Sequence, residues 1–345
     1  MLSTVLDPDL RVPVVTDSTR RQFLAVLGAA GLLAGCSSTA GTGPAGPATR
    51  TVQHPLGTAE VPVAPARVVA LDRRAALPHL LALGITPVGA LTYESIIGTP
   101  FPPVVADRAA GVAVLPTGGG ADDPDVEAVA VLRPDLVIGW TSGIEEQYAA
   151  LSRVAPTVAV DVDFTDAAVG LRAIAAAVGR EAEAERVIGA FAERRAARFT
   201  ELGDIGTVSV VLGIGGGQFR VYTPTGSSVA RWVAEAGGSV VPTLAEATGE
   251  PYGDEHVLIG PESLGQVTGD TVVVMFNTGD AGEAALAELE GSPLWTGLPA
   301  VRAGRVVRIN SQESVGSYGF QGYDSVLDSL VDQWAAFGRS PGGRP

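Results

Sequence analysis

Short β-branched runs alternate with helical segments along most of this chain, and one long charged stretch, residues 181–202, breaks the alternation. Before that stretch, strands are expected at residues 67–71, 87–91, 136–139 and Thr157–Val160. The helices between them cover residues 75–83, 126–132 and 144–154. Asp123-Pro124 supplies a capping acid and a first-turn proline for the second of these helices. Asp166 caps a further helix that runs to about residue 178. Residues 181–202 then read as a helix about 33 Å long at 1.5 Å per residue, without a counterpart elsewhere in the chain. After it the alternation resumes, with strands at residues 208–214, Thr271–Phe276 and 306–309 and helices at 228–236, 281–290 and 323–337. Strands separated by helices imply parallel sheets covered on both faces. The expected architecture is therefore α/β: two halves of similar size joined by one helix, with ligands bound in the cleft beyond the strands' carboxyl ends.

The first 51 residues belong to neither half. Thr19-Arg20-Arg21-Gln22-Phe23-Leu24 matches the twin-arginine export pattern, and residues 24–33 have the length of a signal-peptide apolar region. Leu33-Ala34-Gly35-Cys36 resembles a bacterial lipobox, whose cysteine is acylated and becomes the first mature residue. Asp7, Asp9 and Asp17 ahead of the arginine pair are unusual for a basic leader, as a misplaced start codon would make them. Apart from Arg50, residues 37–51 are Ser, Thr, Gly, Ala and Pro with little to bury, which reads as a tether. The expected division is a leader over 1–35, a tether over 36–51, a first lobe over 52–165, a helical connector over 166–203 and a second lobe over 204–340.

Composition removes several function classes. Cys36 is the only cysteine, so once it is acylated no thiol remains for a disulfide, an iron–sulfur cluster or a zinc–thiolate site. All 23 basic residues are arginine, which excludes Schiff-base and P-loop lysine chemistry, and 38 acidic residues give a net charge of −15 that disfavours nucleic acid. His54, His79 and His256 read as structural: one near the tether, one among apolar helix residues, one in a loop. No nucleophile elbow or HExxH motif supports an exported hydrolase, and three histidines are too few for a zinc or manganese site. The Gly213–Gly217 region lacks the ending of a phosphate loop and reads as a turn after a strand.

Five stretches carry a resemblance to a known family: Pro65-Ala66-Arg67-Val68-Val69-Ala70-Leu71; Leu80-Leu81-Ala82-Leu83-Gly84-Ile85-Thr86-Pro87-Val88-Gly89; Leu132-Arg133-Pro134-Asp135-Leu136-Val137-Ile138; Arg153-Val154-Ala155-Pro156-Thr157-Val158; and Leu289-Glu290-Gly291-Ser292-Pro293-Leu294-Trp295. In order and spacing they resemble the helical-backbone (class III) solute-binding proteins for ferric siderophores, haem and cobalamin, over residues 61–330. The resemblance implies an α/β fold of two Rossmann-like lobes joined by a single long backbone helix, and a monomeric binding protein rather than an enzyme. It implies no cofactor: the ligand is a ferric siderophore, or alternatively haem or cobalamin. The implied partners are an ABC permease and through it a cytoplasmic ATPase, and the implied location is the outer face of the cell membrane, anchored at Cys36. Glu127 and Glu262 match the family positions at which one acid per lobe meets permease arginines; a first-turn glutamate favoured by the helix dipole accounts for both equally and is compatible with docking.

The ligand residues are less constrained. Arg73 and Arg74, Trp140, and Arg220 with Tyr222 follow strands at the edge where a cleft should open; Tyr93 and Tyr318 are further candidates, and with Tyr222 are the possible haem-iron ligands. Guanidinium groups suit the anionic oxygens around a ferric chelate and aromatic faces its organic shell. Each arginine serves equally well in a surface ion pair, and each aromatic as partly buried core.

Overall fold

The computed structural model describes residues 48–337 apart from 73–74, 95–97, 118–122, 164, 278 and 312–318. The chain enters the fold as an antiparallel hairpin of β1 (Thr49–His54) and β2 (Gly57–Pro62). β1 therefore takes up residues 49–51 of the expected tether. Arg50 pins it there by donating to the Ala177 carbonyl at 2.5 Å, a long-range tie that local composition does not announce.

The first sheet comprises β3 (Val68–Leu71), β4 (Gly89–Leu91), β5 (Ala113–Leu115), β6 (Leu136–Trp140) and β7 (Thr157–Val160), all parallel in the order β5-β4-β3-β6-β7. β3, β4 and β7 are buried along their whole length, as strands covered on both faces must be. Three helices, α1 (Ala76–Ala82), α2 (Val126–Val131) and α3 (Tyr148–Val154), alternate with these strands. β5 lies in the stretch expected to be loop; it is an edge strand of only three residues, Ala113-Val114-Leu115, with one of them exposed. The cap of α2 is Asp125, not Asp123: its carboxylate accepts from the Glu127 and Ala128 amides at 2.9 and 3.1 Å, while Pro124 bridges to Thr117.

Helix α4 (Ala167–Val178) starts on its Asp166 cap and stops at Gly179 with φ +69°. α5 (Glu181–Phe199) follows, 19 residues or about 28 Å long. It has a counterpart after all, because the final helix is equally long.

The second sheet departs from the expected pattern. β8 (Thr207–Gly215) is central and parallel to β13 (Thr271–Phe276), which is parallel to β14 (Val306–Asn310). On the other side of β8, β9 (Gln218–Tyr222) returns antiparallel, followed by β12 (His256–Ile259) and β11 (Glu250–Tyr252), while the short β10 (Ser239–Val240) pairs with the start of β8. The sheet is therefore mixed, and His256 opens a strand where a loop was expected. The glycine run makes this possible. Gly216 and Gly217, at φ +63° and +73°, form the two-residue turn whose twist matches an antiparallel hairpin. Helices α6 (Ser228–Glu235), α7 (Asp280–Gly291) and α8 (Gly319–Phe337) cover the sheet.

Three apolar clusters organise the molecule. One lies under the outer face of the first sheet, around Val69, Val137 and Leu151, and a second under the outer face of the second, around Val211, Phe219 and Val272. The third is shared: it runs from Val68 and Leu77 of the first lobe through Leu171 and Phe191 to Val210, Val273 and Leu330 of the second. Because one core spans both lobes, opening them exposes apolar surface at about 25 cal/mol per Å². Phe191 of α5 sits at its middle, 5.4 Å from Trp232 and 5.5 Å from both Phe320 and Tyr323. Beside this junction α5 and α8 are laced by Arg194 to Asp324 and Asp328, and by Arg198 to Asp332. Among the described residues no helix is long and apolar enough to cross a membrane.

Candidate functional site

The carboxyl ends of the first sheet present a row of polar groups. After β3, the Asp72 carboxylate accepts from the Ala75 and Ala76 amides at 2.8 and 3.1 Å and so starts α1. Arg73 and Arg74 lie outside the described residues, as do Tyr318 and Cys36. After β4, Tyr93 is only 2% exposed and donates its backbone amide to the Pro100 carbonyl at 2.8 Å, which closes the following loop. Trp140 ends β6 half-buried, and the next residue, Thr141, donates to Asp161 at 2.7 Å, tying the ends of β6 and β7 together. Beyond β7 one oxygen of Asp163 accepts from the Thr165 amide and hydroxyl at 2.7 and 2.8 Å and from the Asp166 amide at 3.1 Å.

The second lobe answers with the antiparallel part of its sheet. Side chains alternate along β9: Phe219 and Val221 enter the outer cluster, whereas Tyr222 belongs to the shared core and Arg220 shares its face. Register pairs Tyr222 with His256 and Arg220 with Leu258. The rings of Tyr222, His256 and Tyr252 follow one another at 5.6 and 5.0 Å. Burial raises the Tyr222 phenol, and the adjacent Arg220 guanidinium opposes that rise. Burial, helped by Arg220, lowers His256 to about 4, so the imidazole is neutral at pH 7. Its Nδ1 is enclosed without a hydrogen-bond partner. Glu255, on the adjoining turn, is raised first by burial and then by the carboxylates of Asp254 and Asp163, with Arg220 acting the other way. Asp163 is a first-lobe residue, so the two lobes' charged edges face one another here.

Several direct bonds cross the junction, among them Gln321 of α8 donating to the Pro78 carbonyl of α1 at 3.2 Å. Arg231 of α6 donates to the Thr165 hydroxyl at 3.0 Å, and the Ala167 amide donates to the Tyr323 hydroxyl at 3.1 Å. Tyr323 is pushed up to about 12, chiefly by burial. A cavity of about 220 Å³ adjoins these groups, bounded by Asp166, Phe191, Arg231, Trp232 and Tyr323. A second, of about 430 Å³, lies between Glu60 of β2 and Tyr148 of α3. Neither is lined by Tyr93, Trp140, Arg220 or Tyr222. The structure thus brings Arg220 and Tyr222 together, puts Trp140 at the first lobe's carboxyl edge, and buries Tyr93 beneath it.

Sequence reading missed Asp163, Glu255, His256 and the pair Asn277 and Ser311, whose side chains hydrogen-bond just beyond the ends of β13 and β14. The strand-end rule pointed to the last pair, because β13 was located correctly. Glu127 and Glu262 are both exposed first-turn residues, the former on α2 and the latter on the 3₁₀ turn Pro261–Gln266.

With this geometry in place, comparison with known proteins is decisive for the family. The periplasmic binding protein family model matches residues 89–313. The chain belongs to the periplasmic binding protein family. Among its relatives, the probable siderophore-binding lipoprotein YfiY of Bacillus subtilis (strain 168) is 37% identical over 177 residues, which is 50% of this chain and 52% of YfiY. The match therefore spans about half the length of that relative. The putative ABC transporter substrate-binding lipoprotein YhfQ of the same bacterium is 27% identical over 321 residues, covering 91% of this chain and 97% of YhfQ. The crystal structure of Staphylococcus aureus SirA complexed with staphyloferrin B shares the fold, with a TM-score of 0.67 at 23% identity over 83% of this chain and 98% of SirA. The two-lobed α/β fold implied by the resemblance stands. This is a family of binding proteins and not of enzymes.

Proposed function

We propose that the chain is the substrate-binding component of an ABC importer, that it captures an intact ferric siderophore between its lobes, and that it delivers the chelate to the membrane permease and its ATPase. The observation that carries this reading is Arg220. It is half-buried on the cleft-side face of the second sheet beside Tyr222, and among the described residues no carboxylate lies within ion-pair distance of it. The arginines of α4 and α5, by contrast, are paired with carboxylates. A guanidinium with no carboxylate in direct contact, in a partly desolvated cleft, favours a ligand with anionic oxygens. The chain's relative YfiY, a probable siderophore-binding lipoprotein, supplies the class of such a ligand: a siderophore. Trp140 on the opposite edge suits the organic shell of a chelate, and Arg73, Arg74 and Tyr318 complete the proposed ligand set, with Tyr93 supporting it from beneath.

Glu127 and Glu262, one per lobe, are the proposed contacts to permease arginines. Cys36 is the proposed lipid anchor: two acyl chains, at about 0.8 kcal/mol per buried CH₂, hold a protein at a bilayer. The Cys36→Ala variant should then leave the membrane fraction, and its retention there at wild-type level would place the anchor elsewhere. The ligand class is tested by titrating the protein with ferric hydroxamates, ferric catecholates, ferric citrate and haem while following tryptophan fluorescence. Quenching by at least one ferric chelate with no Soret shift in haem is expected. Binding of haem alone would overturn the siderophore reading.

A further inference from the structure

Each lobe sets an exposed aliphatic side chain next to its proposed docking acid. On α2, Glu127 and Val131 are four residues apart and so share one helix face. Val131 is 79% exposed, the most exposed of the large apolar side chains among the described residues. In the second lobe the helical turn Pro293–Thr296 packs on the 3₁₀ turn that carries Glu262, and Leu294 stands 50% exposed on it while its neighbour Trp295 is buried with Leu264. Glu288 adds a second carboxylate there: it and Pro261 both border the space beside Gly217.

A lone exposed valine or leucine needs no explanation. The same pairing of acid and aliphatic on both lobes does, because nothing in the fold requires it. Leu294 sits on a turn already anchored by Trp295, and Val131 is the last residue of its helix. Protein interfaces draw affinity from apolar anchors that become fully desolvated, while charges around them set orientation and encounter rate.

We propose that Val131 and Leu294 are the two apolar anchors of the docking surface, and that their occupant is the importer's membrane subunit, through surfaces that combine arginine with apolar side chains. The proposal rests on the docking role of Glu127 and Glu262. Charge complementarity selects the partner: Glu127 shares a helix face with Val131, and Glu262 and Glu288 lie on the side of Leu294, on a chain whose net charge is −15, which disfavours an anionic lipid surface or a second copy of the chain.

The test places a photo-crosslinking benzoylphenylalanine at Val131 or Leu294 in the full chain within its own cells, with Val63 and Val169 as exposed controls at 51% and 43%. Crosslinks from both test positions to one polytopic membrane protein, about tenfold above the controls, are expected. They should fall about tenfold when Glu127→Arg and Glu262→Arg are added. Crosslinking at control level, or to lipid or to another copy of this chain, would overturn the proposal. Strong crosslinks to a membrane protein that ignore charge reversal would sustain the anchors and end the docking role of the acids. Circular dichroism melts of Val131→Ser and Leu294→Ser that match the wild type would show that the anchors do not serve folding.

Discussion

The two sheets are built on different logics. In the five-stranded sheet of the first lobe every strand is parallel, and each neighbour is reached through a crossover, so local periodicity switches cleanly from strand to helix. In the second lobe only β8, β10, β13 and β14 obey that rule, while β9, β11 and β12 are added edge-on by hairpins. Those added strands carry Arg220, Tyr222 and His256. The irregular part thus supplies most of the second lobe's contribution to the proposed site.

If the hairpin strands hold their loop by close backbone packing, glycine substitutions should separate the two lobes. A Cβ on Gly226 would overlap the Glu255 carbonyl oxygen, which is backbone and cannot rotate away. In the first lobe, a Cβ on Gly139 would meet the Ile144 side chain at 2.6 Å, which can shift. Gly226→Ala is expected to cost more than about 3 kcal/mol and Gly139→Ala about 1–3 kcal/mol in urea unfolding. The reverse order would mean that the hairpin region is the more pliant of the two.

The histidines sharpen the same contrast with pH. His79, wholly buried where α1 meets α8, is lowered to about 3 and His256 to about 4, both chiefly by desolvation. Each is neutral in the folded chain while its unfolded form takes up a proton below about 6.5, so the unfolded state binds more protons in that window. Stability should therefore be insensitive to these groups above pH 6.5. It should fall as pH drops from 6.5 towards 4, by up to about 1.4 kcal/mol per pH unit for each histidine. Thermal melts across pH 7 to 4.5 should show this loss, and His79→Phe or His256→Gln should flatten its share of it. A slope unchanged in both variants would mean that carboxylates alone govern the acid response.

Most of the fold was legible because its signals are local. β13, β7 and the cap at Asp166 are set by residues within a turn or two of themselves. What escaped reading depends on distant partners. β1 is held by Arg50 reaching Ala177, and β5 is an edge strand. The Gly216-Gly217 turn was visible as glycine, but its meaning depended on β9 finding β8. Of the proposed site, Arg220 and Tyr222 were legible as polar and aromatic residues after a strand. Their company, Glu255 on the turn before β12, His256 of β12 and Asp163 from the other lobe, comes only from the folded arrangement.

If the proposed function holds, one ferric chelate contacts both lobes at once. Calorimetric titration of the wild type, Trp140→Ala and Arg220→Gln with the same ferric siderophore, and with bare ferric ion, tests it most directly. One chelate per protein should bind, each variant should bind about tenfold or more weakly, a loss of about 1.4 kcal/mol, and bare iron should not bind. Tight binding of the bare ion, or affinity lost in one variant and untouched in the other, would contradict a chelate held between the lobes.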